Sequence, residues 1–206
     1  MRHNLAVKEA FETPRQAFPD REQAYLANQY AKHDVILEYG CGGSTMLAAS
    51  QPHSLVMSVE NDRKWARSVK EALRRQHPDA PVKVHWVDTG PTMMWGRPRP
   101  KQRGESWKNY PNYALNIWDQ PYFKQPDLIL IDGRFRPACF LAAMMRTQRP
   151  VTVLFDDYTN RDSYHWIERY AEPVEVIGRM ARFDLSPTPV PSGDLTQVVL
   201  AFLDSY

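Results

Sequence analysis

Short apolar runs alternate along the chain with stretches whose apolar positions recur at helical spacing. The runs at Val35–Glu38, Leu55–Glu60, Val82–Asp88, Leu128–Asp132 and Val151–Phe155 read as strands. Between them the pattern predicts helices. One lies over Thr45–Ser50, and a second over Asp62–Gln76 with Trp65, Val69 and Ala72 on one stripe. A third buries Phe135, Cys139, Ala142 and Met145, and a fourth covers Arg161–Tyr170. A further helix over roughly Asp20–Lys32 precedes the first strand. Continuous apolar strands alternating with amphipathic helices imply a doubly wound α/β fold, a mostly parallel sheet covered on both faces. Two more strand-like runs, Met180–Leu185 and Gln197–Phe202, are joined by a proline-rich loop over Ser186–Gly193. No helical pattern separates them, so they are expected to pair as an antiparallel hairpin at one edge of the sheet.

The third and fourth strands are separated by the 38 residues Thr89–Pro126, a long connection for a compact domain. This segment carries six prolines, three tryptophans, three tyrosines and a phenylalanine. Its bases Arg97, Arg99, Lys101, Arg103, Lys108 and Lys124 outnumber Glu105 and Asp119. So many aromatics argue against simple disorder. Three readings compete: a lid over an acceptor, which we favour, a homodimer surface, and a nucleic-acid contact through stacking. The 206 residues suit a single domain, with 43% apolar and 24% charged positions. The net charge of +2 is too small to argue for nucleic acid on its own. The two cysteines, Cys41 and Cys139, make no disulfide framework, and neither a secretory signal at Met1–Ala10 nor a membrane-spanning run is found. The expectation is a cytoplasmic protein.

Ligands of open parallel sheets bind beyond the carboxyl ends of the strands. Each of the five strands ends in acid: Glu38, Glu60, Asp88, Asp132 and the pair Asp156-Asp157. Carboxylates suit ribose hydroxyls, ammonium groups or hard cations better than polyphosphates. The first strand runs into Glu38-Tyr39-Gly40-Cys41-Gly42-Gly43-Ser44-Thr45, where the glycines allow a sharp turn and close approach of a ligand to the backbone. The dinucleotide fingerprint requires glycine where Thr45 stands, and a phosphate-binding loop requires a lysine that is absent.

The segment Glu38-Tyr39-Gly40-Cys41-Gly42 resembles the first motif of class I S-adenosylmethionine-dependent methyltransferases, and Glu60, Asp88 and Asp132 match the acids after the family's second, third and fourth strands. The resemblance implies a seven-stranded Rossmann-like methyltransferase sheet and S-adenosyl-L-methionine as cofactor. It assigns cofactor contacts to Glu38, Gly40, Cys41, Gly42, Glu60, Asp88 and Asp132. In a narrower likeness, Ile131-Asp132-Gly133 and Phe155-Asp156-Asp157-Tyr158 are similar to macrocin-type sugar O-methyltransferases. That likeness implies a magnesium ion, Mg2+, held by Asp132, Asp156 and Asp157, with Asp132 at the catalytic centre. Arg134 stands where that group has its candidate base.

Blander roles stand beside these. Asp88 could form a turn with Thr89-Gly90, Asp156 or Asp157 could pair with Arg134 or Arg136 without any cation, and His85 and His165 suit packing roles. Cys41 fits the turn as a small residue rather than a nucleophile. No Asn/Asp-Pro-Pro-Tyr motif follows the fourth strand, which disfavours amino-group methylation of bases or glutamine amides. The favoured function is methyl transfer to a hydroxyl of a small-molecule acceptor. A binding module that has lost catalysis and an RNA methyltransferase using the basic segment are the alternatives.

Overall fold

A computed structural model describes residue 14 and residues 17–99 and 106–205. Lys101, Arg103 and Glu105 of the basic segment lie outside the described residues, as does the N-terminal stretch Met1–Ala10.

Seven strands form one sheet: β1 (Val35–Tyr39), β2 (Leu55–Glu60), β3 (Val82–Trp86), β4 (Leu128–Ile131), β5 (Val151–Phe155), β6 (Glu175–Ile177) and β7 (Met180–Leu185). Their order is β3-β2-β1-β4-β5-β7-β6. The first five are parallel, and β7 runs antiparallel to both β5 and β6. The order reverses between β1 and β4, which places a ligand crevice beyond the turn that leaves β1.

The alternation of side chains divides the core into two layers. Leu37, Tyr39, Met57, Val59, Ile129, Ile131, Val153 and Phe155 face α4 (Pro111–Leu115), α5 (Arg136–Arg146) and α6 (Leu195–Ala201). Ile36, Val56, Leu128, Leu130 and Leu154 face α1 (Asp20–Tyr30) and α2 (Gly43–Ala49). Helix α3 (Arg63–Gln76) covers the β3 side through Ala66, Val69 and Leu73 against Val84. It starts where Asp62 accepts hydrogen bonds from the Lys64 and Trp65 N–H groups, and Arg74 and Arg75 sit in its last turn, where cations suit the helix dipole.

One expectation is corrected. Gln197–Phe202 is not a strand, because its residues belong to α6 and the turn that ends it, and the antiparallel partner of Met180–Leu185 is Glu175–Ile177. Val198, Ala201 and Phe202 repeat at helical spacing and are buried in the α5 layer, so packing overrides the strand preference of the β-branched residues nearby. The segment after β5 is a run of 3-10 turns over Asp162–Arg169 rather than an α-helix.

The α5 layer closes over a ring cluster. Phe140 meets Phe183 edge-on at 5.1 Å, and Phe155 lies 5.3 Å from both Tyr158 and Tyr164. Replacing fully buried Phe140 by alanine is expected to lower stability by about 3–5 kcal/mol, read as a reduced denaturation midpoint at unchanged slope.

Candidate cofactor crevice

The floor of the site is set from below. Glu38 is wholly buried and points toward α1 and α2, where its carboxylate accepts from Tyr30 Oη at 2.5 Å, Thr45 Oγ1 at 2.6 Å and Ser58 Oγ. Ser58 is its register partner across β2. Burial raises the Glu38 carboxyl above its usual range, against the lowering effect of the three hydroxyls. The resemblance puts Glu38 in contact with cofactor. The structure places it beneath the glycine turn, which it fixes: Thr45 Oγ1 also accepts the Gly42 N–H at 3.0 Å.

Above it, Gly40 adopts φ +100, a conformation that disfavours side chains, and a Cβ there would come within 2.9 Å of the Gly133 nitrogen. The turn after β1 and the turn after β4 therefore touch backbone to backbone. Cys41 donates its thiol to Glu60 Oε2 at 3.7 Å, and the Cys41 carbonyl accepts from Trp65 Nε1 at 2.7 Å. Burial and the carboxylates of Glu60 and Glu38 hold the Cys41 thiol well above its usual range, which leaves it a packing group and no nucleophile.

Glu60 ends β2 beside this turn. Its Oε1 accepts the N–H groups of Asn61 at 2.7 Å and Asp62 at 2.8 Å, while Oε2 faces Cys41. Asp88 is exposed and accepts the N–H of Gly90 at 2.9 Å, the turn-forming role.

The segment after β3 crosses this crevice as a strap. Thr92 and Pro98 form an antiparallel bridge at its base, and Gly96 packs against Asn61 and Glu60. Asn61 Nδ2 donates to the Gly96 carbonyl at 2.8 Å. From the β4 side, Arg134 Nε donates to the Trp95 carbonyl at 2.8 Å. Because β1 lies between β2 and β4, these two clamps span the glycine turn.

Beyond β4 and β5 the acids Asp132, Asp156 and Asp157 meet three arginines. Asp156, wholly buried, takes a two-pronged pair from Arg179 Nε at 3.0 Å and Nη2 at 2.9 Å. Asp157, at φ +53, pairs with Arg161 at 3.0 Å and with Arg136 and Arg179 at 3.2 Å. Asp132 pairs with Arg136 at 3.3 Å. Burial, more than any other effect, raises the Asp132 carboxyl, the Arg136 charge opposes this, and Asp156 and Asp157 add to the rise.

A magnesium ion does not fit this set. Both oxygens of Asp156 and the Asp157 carboxylate are committed to guanidinium groups, and among the described residues no group of three such side chains could hold a metal. The implied metal role of Asp132, Asp156 and Asp157 is therefore corrected to an ion-pair lattice. Arg136 was a visible partner in the sequence. Arg179 was not, since it arrives on the β6–β7 turn, 22 residues after Asp157. Arg134, the other arginine considered, reaches the strap instead. His165 bonds the Tyr158 carbonyl at 3.0 Å, and His85 bonds Asn116 at 2.7 Å and Tyr122 at 2.8 Å, both packing roles.

S-Adenosylmethionine, in contrast, fits what is present. The turn offers backbone free of side chains at Gly40 and Gly42, and the Oε2 edge of Glu60 lies beside it for hydroxyl donors. No protein-family model matches the sequence, and no curated protein matches it. Among solved structures, a methyltransferase-like protein from Silicibacter pomeroyi DSS-3 is 41% identical, with 93% of this chain and 98% of that chain covered and a TM-score of 0.86. The O-methyltransferase TomG from Streptomyces achromogenes, solved with the cofactor and involved in tomaymycin synthesis, is 16% identical over 84% of this chain and 82% of its own, with a TM-score of 0.55. Cofactor-bound Rv0187 from MTB is 18% identical over 86% and 85%, with a TM-score of 0.58, and these last two likenesses concern the fold. The chain belongs to the class I S-adenosylmethionine-dependent methyltransferase superfamily. No helix among the described residues is long and apolar enough to cross a membrane.

Burial pushes the Glu60 carboxyl up to about 7, against the N–H groups of Asp62, Asn61 and Cys41. The folded state thus favours the neutral acid. Its contribution to stability is complete below the ordinary value of 4.5 and is lost as pH rises through about 7. Glu60→Gln does not titrate. Its stability relative to wild type should rise by on the order of 3 kcal/mol across that interval and level off above it, measured by denaturation at stepped pH. A pH-independent difference would contradict a buried, upward-shifted acid.

Proposed function

We propose that the chain binds S-adenosylmethionine over the Gly40–Gly42 turn and transfers its methyl group to a hydroxyl of a small-molecule acceptor. The observation that carries this reading is the juxtaposition of a glycine turn at the strand-order reversal with the buried carboxylate of Glu60, its Oε2 edge 3.7 Å from Cys41 Sγ. When bound, the cofactor supplies a methyl group from its sulfonium and leaves as the neutral thioether S-adenosylhomocysteine.

The chain's own groups then have separable tasks. Glu60 accepts ribose hydroxyls, and Trp65 holds the turn through the Cys41 carbonyl. Asp132 follows directly on β4, its N–H bonded to the Tyr39 carbonyl at 3.0 Å, with a third of its side chain exposed. Its raised affinity for protons suits it to take the hydroxyl proton of the acceptor. Holding the acceptor in line contributes much of the rate in such a transfer.

Calorimetry on the pure protein at pH 8, where the Glu60 carboxyl is ionised, should register association with S-adenosylhomocysteine, and Glu60→Ala should weaken it by at least tenfold, the effect of losing a charge-assisted hydrogen bond of about 1.5–3 kcal/mol. Undiminished binding by Glu60→Ala would remove the ribose assignment.

With acceptor, the rate should rise with pH through a group titrating above the usual carboxylate range, since Asp132 acts in its ionised form. Asp132→Asn should abolish that limb and lower kcat at little change in cofactor affinity, and chelation of divalent cations should leave the parent rate unaltered. A chelator-sensitive parent would restore the metal reading.

A further inference from the structure

Beyond the ends of β4 and β5, charge does not cancel. Three carboxylates, Asp132, Asp156 and Asp157, face three guanidinium groups, Arg136, Arg161 and Arg179, which pair with them fully. Arg134 is a fourth cation at the same place. Among the described residues its guanidinium bonds through Nε alone, to the Trp95 carbonyl at 2.8 Å, and no carboxylate lies against it. The charged groups that act on it are Arg136 and Arg161, and the like charge of Arg136 adds to burial in pushing it below the usual arginine range. Its Nη edge is thus a two-donor fork held in a positive field, with no anion to meet among the described residues.

The same bond fixes an unusual neighbour. Trp95 sits at φ +62, a backbone region rare for a bulky residue, and 83% of it is exposed. The carbonyls on either side of its following peptide bonds are clamped, Trp95 by Arg134 and Gly96 by Asn61. A strained, solvent-facing Trp95 whose carbonyl is held by the Arg134 guanidinium, on the strap that crosses the crevice, is a pairing that burial and packing do not require.

We propose that Arg134 and Trp95 form the acceptor-recognition surface, and that the acceptor presents an oxyanion, carboxylate or phosphate, next to a flat ring face. The oxyanion takes the Nη edge of Arg134 as a bidentate pair, and the ring stacks on the Trp95 indole. This inference rests on the methyl-transfer reading of the same crevice.

The test titrates isotope-labelled full-length protein, with and without S-adenosylhomocysteine, with phenyl phosphate, benzoate and the neutral phenyl glucoside. It follows the Trp95 indole and Arg134 Nε–H resonances. Phenyl phosphate or benzoate should shift both signals and bind at least tenfold more tightly than the glucoside, and whichever of the two binds more tightly assigns the oxyanion as phosphate or carboxylate. Arg134→Gln should lose that preference by about tenfold, Arg134→Lys should retain part of it, and Trp95→Ala should weaken all three ligands alike. Equal binding of charged and neutral ligands, no shift with any, or an unchanged preference in Arg134→Gln would overturn the proposal. So would tight, steeply salt-dependent binding of a single-stranded RNA oligonucleotide without any response to phenyl phosphate. A failure of S-adenosylhomocysteine to bind, with the anion response intact, would strike the methyl-transfer reading and leave the anion site standing.

Discussion

The architecture hangs on the carboxylate of Glu38. It lies between the sheet and two helices, and the hydroxyls of Tyr30, Thr45 and Ser58 converge on it from α1, α2 and β2. A buried acid with that many donors is stable only when every donor is in place, so the network selects one arrangement of four elements at once. Thr45 carries the constraint upward into the Gly42 backbone. The glycine turn is thereby rigid although its own side chains contribute almost nothing.

On the opposite flank, rigidity comes from charge. Arginines take the positions around the strand-end acids that a divalent cation would otherwise need to take, and each guanidinium serves more than one oxygen. Arg136 also donates to the carbonyls of Gly133, Asp132 and Asp156, which ties the ends of β4 and β5 together. The two flanks differ in kind: hydroxyl donors hold a neutral-leaning acid under the glycine turn, and fixed ion pairs surround the ends of β4 and β5.

The layered sheet was legible in the sequence because the central strands are buried on both faces and leave uninterrupted apolar runs, as at Leu128–Ile131. The glycine turn and Glu60 were legible for the same local reason, since spacing from a strand end determines where they point. What escaped was set by distant chain. Thr196, Val198 and Val199 favour a strand on propensity, and only the docking of Val198 and Ala201 on the α5 layer makes them helical. Glu38 reads as a ligand-facing acid until its register partner Ser58 and the helix residue Tyr30 are known. No local pattern announces that Arg179 closes on Asp156, or that Trp95 and Arg134, 39 residues apart, meet over the crevice.

The lateness of Arg179 in the chain has a consequence for assembly. Asp156 is completely buried, and without its partner it would be an isolated charge in the interior, a cost of about 3–5 kcal/mol. The ends of β4 and β5 therefore cannot settle until the hairpin of β6 and β7 has been delivered. During synthesis, the crevice stays unfinished while the nascent chain already contains every residue that would touch a nucleoside. The order of the chain thus ties the finished crevice to the later β6–β7 hairpin, and loss of that hairpin would unsettle the ends of β4 and β5 through Asp156.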